Sequence, residues 1–290
     1  MVPPPAAATS RQVAGDPAIP EGVRLLEPST VEAWAAAYIL SDTWQAKLEP
    51  APLPDRWMTA PAPVRLSTPG RGAGFLVRAH GEKSTGKSAL LSPERRAKLL
   101  HTFLHHELQA AELMAWAVLA FPETPQAFRR GLLNVLADEV RHMQLYLVYL
   151  RARGHEAGSF PVRDWFWKRI PTTASPAAFC ATMGMGFEAA NLDHARRFAA
   201  RFRSAGDEEA ARIEEIVHEE EIPHVRFATH WFERFTATES TTPSFLRWKA
   251  YLPAPLSPMV MRGDPLDRDA RLRAGADESF VDALEAWTPA

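Results

Sequence analysis

The residues best suited to chemistry in this chain are two Glu-x-x-His motifs, Glu139-Val-Arg-His142 and Glu221-Ile-Pro-His224. Residues three apart on an α-helix lie about 60° apart around its axis, so the two side chains of each motif share a face. Each motif can therefore bind a metal ion through a carboxylate and an imidazole. One such motif is a weak signal, whereas its repetition is informative.

Each motif also follows an upstream glutamate at a matched distance. Glu107 lies 32 residues before Glu139, and Glu188 lies 33 residues before Glu221. Two single glutamates and two Glu-x-x-His pairs on four successive helices are typical of a four-helix bundle with a dinuclear metal centre. We therefore predict six metal ligands: Glu107, Glu139, His142, Glu188, Glu221 and His224.

The ligand types indicate which ions would bind. Four carboxylates and two imidazoles suit two iron ions, and a mixed iron–manganese or dimanganese pair fits the same donors. Two cations would also neutralise carboxylates that could not otherwise share an apolar interior. The alternative is that these glutamates lie on solvated faces, as most helical glutamates do.

The first helix offers two candidate ligands. Glu107 matches the spacing of the second half of the chain, whereas Glu112 would shorten it, and we choose Glu107. Glu112 and Asp193 follow Glu107 and Glu188 by five residues. They are either inner polar residues near the site or ordinary surface acids, and we include both among the residues expected around the ligands.

Acidic residues directly before two ligands are candidates for supporting the histidines. A metal-bound histidine usually donates its other ring N–H to an acceptor. Asp138 and Glu220 each precede a motif glutamate, and we expect each to accept from a histidine on the facing helix. We expect Arg141 to balance their charge. Pro223 lies between two ligands, where a proline removes a helix hydrogen bond, so a kink or π-bulge is expected there.

Cap and breaker residues divide the chain around these motifs. A short helix is expected after Thr30, and four helices of roughly 30 residues are expected to begin after Ser92, Thr124, Ser175 and Asp207. The predicted architecture is all-α. It comprises an N-terminal arm, short helix and extended wrapping segment (1–91), a four-helix bundle (92–236) and a C-terminal helical extension (237–290).

The bulk composition excludes several other classes. A net charge of −2 argues against a broad nucleic-acid surface. A local basic patch stays possible around Arg196-Arg197, Arg201 and Arg203. Cys180 is the single cysteine, so multi-thiolate metal sites are excluded. The start of the chain does not read as a signal peptide, and no apolar run approaches about 20 residues. We expect a soluble, cytoplasmic protein without a membrane partner.

One further motif is set aside. Residues Gly81-Glu-Lys-Ser-Thr-Gly-Lys-Ser88 match the phosphate-binding loop pattern letter for letter. That loop requires a buried strand before it and a helix beginning at its Lys-Ser pair. Here a new helix cap, Ser92-Pro93, follows instead. The context therefore does not support nucleotide binding.

The motifs resemble those of a known superfamily. His106-Glu107-Leu-Gln-Ala-Ala-Glu112, Ala137-Asp-Glu-Val-Arg-His142, Phe187-Glu188 and Glu220-Glu-Ile-Pro-His224 resemble the ferritin-like superfamily. Within it, the chain looks most like the uncharacterised family called domain of unknown function four-five-five, from about residue 90 onward. The resemblance implies a ferritin-like bundle holding a non-haem di-iron carboxylate centre that reacts with dioxygen or peroxide.

Two functions follow from this resemblance. The favoured one is a di-iron oxidoreductase of the oxygenase or oxidase type, which hydroxylates or desaturates an organic substrate with electrons from a separate donor. The alternative is a non-catalytic or protective iron-binding protein that sequesters iron or scavenges peroxide. A homodimer is compatible with either function.

Overall fold

The computed structural model of this chain describes residues 20–78, 90, 92–242 and 244–289. Across these residues the protein is an all-α helical bundle, and its one strand-like pairing is an isolated bridge between Val77 and Val162. Residues 1–19 of the N-terminal arm and the phosphate-loop-like segment Gly81–Ser88 lie outside the described residues. Among the helices that are described, each is too short or too polar to cross a bilayer.

The helices occur in the order expected from the sequence. The segments before the bundle are α1 (Glu21–Arg24), α2 (Val31–Leu40) and α3 (Trp44–Leu48). The bundle contains α4 (Pro93–Ala120), α5 (Gln126–Arg151), α6 (Pro176–Phe179), a π-helical segment (Cys180–Glu188), α7 (Ala189–Ser204) and α8 (Glu208–Phe235). The extension contains α9 (Ser244–Ala250), α10 (Arg268–Arg273) and α11 (Glu278–Ala286).

Capping residues set several of these boundaries. Thr30, Ser175 and Asp207 each accept a hydrogen bond from a backbone N–H in the first turn of the helix that follows. Proline occupies the first helical position of α4, where its missing N–H costs nothing. These local signals explain why the long helices begin where the sequence predicts.

The packing of α4 differs from that of its partners. Nearly every residue in its second half is buried, because α5 covers one side and α2 with the extended N-terminal segment covers the other. Trp116 shows the result, since its indole N–H donates to the carbonyl of Leu66 at 2.9 Å. The N-terminal segment is thus part of the core, and it encloses the helix that carries Glu107.

The π-helical segment lies in the third bundle helix and not at Pro223. The expected π-bulge at Pro223 is wrong, since α8 continues as α-helix through that residue. Glu219, four residues earlier, is exposed, so water can satisfy the carbonyl that loses its helix partner. The π-helical segment instead ends at Glu188, and π-helical turns often occur at functional sites.

Glycine permits the close contact between the π-helical segment and α8. A Cβ atom added at Gly184 would lie 2.1 Å from the Cβ of Ala228, far inside van der Waals contact. We expect Gly184→Val to force the two helices apart and to lower the free energy of unfolding by about 1–3 kcal/mol. Thermal unfolding measures this, with Ala200→Val on the exposed face of α7 as the control. Equal melting temperatures for the two variants would contradict the close-packing explanation.

Candidate metal centre

Four acidic and histidine side chains from three helices meet inside the bundle. The ligand atoms of Glu107, Glu139, His142 and Glu221 all lie within 4.8 Å of one another, and all four residues are buried. Glu107 comes from α4, the Glu139–His142 pair from α5 and Glu221 from α8. This group could hold a metal ion.

The two remaining predicted ligands contact the same group. His224 Nδ1 lies 3.0 Å from Glu139 Oε1 and 3.1 Å from Glu221 Oε2. Glu188, at the end of the π-helical segment, is buried and close enough to Glu221, Glu139 and His224 for their charges to shift its pKa. The structure therefore brings all six residues together, and it chooses Glu107 over Glu112 as the member from α4.

The two histidines have matching orientations. His142 directs Nδ1 toward Glu139 at 3.3 Å, and its Nε2 lies 2.9 Å from Glu220 on the facing helix. His224 directs Nδ1 inward as well, and its Nε2 lies 3.2 Å from Asp138 on α5. An N–H on each outer nitrogen would leave both Nδ1 lone pairs free to face the centre.

Arg141 joins the two supporting acids. Its guanidinium donates to Glu220 at 2.6 Å and to Asp138 at 3.1 Å. These three residues are about half-exposed, so each contact alone would be worth little. Their role is to position two acceptors, Glu220 and Asp138, beside the outer nitrogen atoms of two buried imidazoles.

The pKa shifts in the cluster indicate that its carboxylates lack compensating positive charge. Burial, together with the neighbouring carboxylates, raises the pKa of Glu107 and of Glu188 well above the usual value. Burial would also raise the pKa of Glu139, but hydrogen bonds from His142 and His224 lower it instead. Although burial opposes it, Glu221 and the other acids raise the pKa of His224. Cations in the centre would stabilise all of these carboxylates in their ionised form.

One carboxylate oxygen supports the same conclusion. Glu188 Oε1 is fully buried and has no hydrogen-bond partner in the described part of the chain. An unpaired carboxylate oxygen in an apolar interior is costly unless a cation or a donor approaches it. The donor set of oxygen and imidazole nitrogen fits iron or manganese. The residues present therefore fit a metal ion.

Glu112 and Asp193 are buried but lie away from the cluster. Five helical residues correspond to about 140° of rotation beyond Glu107 and Glu188, so these side chains leave by the opposite face. Glu112 contacts Lys47 at 2.8 Å and Arg71 at 2.6 Å, both from the N-terminal segment. Of the two alternatives, the surface-acid one is wrong, because both residues are buried. They are inner polar residues, on a helix face other than that of Glu107 and Glu188.

Asp193 has an equivalent role on the other side of the bundle. Its carboxylate contacts Arg271 at 2.7 Å and accepts from the backbone N–H groups of Gly263 and Asp267. Glu112 thus ties the N-terminal segment to α4, and Asp193 ties the C-terminal extension to α7. Both acids fasten the segments that enclose the site.

A cavity of about 670 Å³ opens from the surface to one side of the cluster. Glu107 and Glu188 line it, as do His106 of α4 and Asn191 of α7. Asn191 also donates to Glu221 at 3.4 Å. Sequence reasoning missed Asn191, although its position three residues after Glu188 places it on the same helix face.

A second buried acid lies farther along α8. Glu214 accepts from the Tyr146 hydroxyl at 3.3 Å, and burial raises its pKa from 4.5 to about 8. The folded protein therefore keeps a proton that the unfolded chain loses above pH 4.5. The contribution of protonated Glu214 to the free energy of unfolding is therefore complete below pH 4.5. It is lost as the pH rises toward 8.

We expect Glu214→Gln to stabilise the protein, because the amide never has to be neutralised. At pH 7 the gain in unfolding free energy is about 3 kcal/mol, and at pH 4.5 it falls to about 0.4 kcal/mol. Urea unfolding at both pH values measures the difference. Glu215→Gln, at the exposed neighbouring position, is the control. A gain that does not depend on pH would contradict the raised pKa.

The fold and the site together define a class of protein: an all-α bundle with a buried glutamate–histidine cluster that could hold a metal ion. A family described as "Protein of unknown function (DUF455)" matches residues 24–282. The chain belongs to this family, as its motifs suggested. No curated protein and no solved structure matches the chain.

Proposed function

We propose that this protein is a non-haem di-iron oxidoreductase that uses dioxygen to oxidise an organic substrate. The orientation of the two histidines carries the proposal. Both Nδ1 atoms face the carboxylates of Glu139 and Glu221, whereas both Nε2 atoms contact the supporting acids Glu220 and Asp138. The six ligands would be Glu107, Glu139, His142, Glu188, Glu221 and His224. Bound iron would supply the redox chemistry.

Hydroxylation of a substrate by this protein would require two electrons from an external reductant. A substrate R–H, dioxygen, two electrons and two protons give R–OH and water. A separate electron-donor protein would supply the electrons.

The protein's own residues supply position and exclusion of water. Asp138 and Glu220 would keep the histidine N–H groups outward. The apolar residues Phe187 and Trp165 line the cavity beside Glu188, so a substrate there would be shielded from bulk water. The cavity reaches the cluster on the side of Glu107 and Glu188, and this favours an enzyme over an iron-sequestering protein.

Anaerobic reconstitution with ferrous iron tests the proposal. We expect about two iron ions per chain, as six protein ligands in a bundle core imply, and a new near-ultraviolet absorption band after oxygen is added. Substoichiometric iron, or no spectral change with oxygen, would refute the di-iron enzyme. Uptake of many iron ions per chain would instead favour sequestration.

A further inference from the structure

The cavity beside the cluster has two chemically distinct regions. Near Glu107 and Glu188 its walls are aromatic: Phe166 stacks on Phe187 with ring centroids 4.9 Å apart, and Trp165 lies 4.9 Å from the same ring. The outer region contains four cationic side chains: Arg78, Arg95, Lys98 and Arg163. The acids among the described lining residues are confined to the cluster end.

The cations of α4 lie at a defined distance from the cluster. Arg95, Lys98, Thr102 and His106 follow one another at intervals of three or four residues, so they form one stripe along the helix. At ~1.5 Å per residue, Lys98 lies roughly 14 Å and Arg95 roughly 18 Å along the axis from Glu107. Because the Arg95 and Lys98 side chains are long, the distance that a ligand must span between their charged groups and Glu107 can be shorter.

The described lining also includes polar residues that are neither Arg, Lys, Asp nor Glu, among them His106, Asn191 and His194. His106 lies against Phe166, with ring centroids 5.2 Å apart. Burial together with Arg197 lowers the pKa of His194 to about 4. An anionic group on a ligand would therefore pair with the cations of the outer region.

We propose that the cavity binds an elongated organic anion, with a carboxylate or phosphate group at Arg95 and Lys98 and an apolar chain along the aromatic wall. The chain would end beside Glu107 and Glu188. Oxidation of the buried end of this ligand would rest on the proposed function. Binding of the anion does not depend on it. A volume of about 670 Å³ holds a chain of this kind.

Binding of dodecanoate to the full chain, followed by calorimetry and by tryptophan fluorescence, tests the proposal. We expect saturable binding of one molecule per chain, and at least about tenfold weaker binding of dodecan-1-ol, which has equal length and no charge. Dodecyl phosphate is the second probe, and the tighter of the two anions identifies the head group. Equal affinity for the acid and the alcohol would overturn the proposal.

Charge variants locate the head group. The double variant Arg95→Gln/Lys98→Gln should weaken dodecanoate binding at least about tenfold and leave dodecan-1-ol unchanged. Arg212→Gln, at an exposed position of α8 outside the cavity, is the matched control and should change neither. Unchanged dodecanoate affinity in the double variant would overturn the assignment.

Iron content measured on the same samples separates the two proposals. Two irons per chain with no binding of either anion would refute the anion site alone. Dodecanoate binding by a protein that retains no iron would support the anion site and refute the di-iron function.

Discussion

Glu139→Ala is expected to abolish iron binding while the bundle stays folded. Both inward-facing nitrogen atoms lie near the carboxylate of Glu139, that of His142 at 3.3 Å and that of His224 at 3.0 Å. Its removal deletes one charge and leaves Glu221 as the carboxylate that the two imidazoles share. We expect an affinity loss greater than the 10- to 100-fold typical of residues that only support a ligand. Metal analysis after reconstitution, with circular dichroism for folding, measures this.

A graded series makes this prediction specific. Asp138→Asn and Glu220→Gln keep the size of the supporting side chains but remove their charge, so iron affinity should fall by about 10- to 100-fold. Glu219→Ala, whose exposed side chain pairs with Arg273 on the surface, should bind iron normally. Full iron content in folded Glu139→Ala would move the metal site elsewhere and refute the ligand set.

The sequence predicted the helices well because their ends depend on local chemistry. Asp207 caps α8 through its own side chain, and Pro93 occupies the first position of α4, where its missing N–H costs nothing. The grouping of the six cluster residues could also be predicted from the sequence, because spacing along a helix determines which side chains share a face. Two such pairs and two single glutamates can be neutralised together only when the four helices face one core.

The π-helical segment could not be predicted in the same way. Its sequence is compatible with an ordinary helix, and the contact that distinguishes it lies across the bundle at Ala228. Pro223 is a strong local breaker, yet the helix continues through it because an exposed carbonyl can turn to water. A tertiary contact distinguishes the first case, and solvent exposure of the preceding turn explains the second.

The partners of the buried acids were also beyond local reasoning. Glu112 pairs with Arg71, and Asp193 pairs with Arg271 from the far end of the chain. From helix spacing one can predict only that each acid lies on the helix face opposite the cluster. Which cation reaches that face depends on the path of the wrapping segments, and the sequence predicted those segments only as extended or short-helical.

Glu112→Gln is expected to destabilise the whole protein without removing a metal ligand. Its carboxylate contacts Lys47 and Arg71 and accepts from the indole N–H of Trp167 at 2.7 Å. The side chains of Glu112 and Lys47 are completely buried. Loss of the negative charge leaves Lys47 in an apolar interior, where burial already lowers its pKa. Breaking such a pair costs about 3–5 kcal/mol.

Thermal unfolding should show this as a drop in melting temperature of roughly 10 °C. Glu27→Gln removes the exposed pair with Arg56 and should cost less than about 1 kcal/mol. Combining Glu112→Gln with Lys47→Met should cost less than the sum of the two single changes, because the stranded ammonium is gone. Purified Glu112→Gln should still bind iron, whereas Glu107→Gln should not. The reverse result would exchange the roles of these two glutamates on α4.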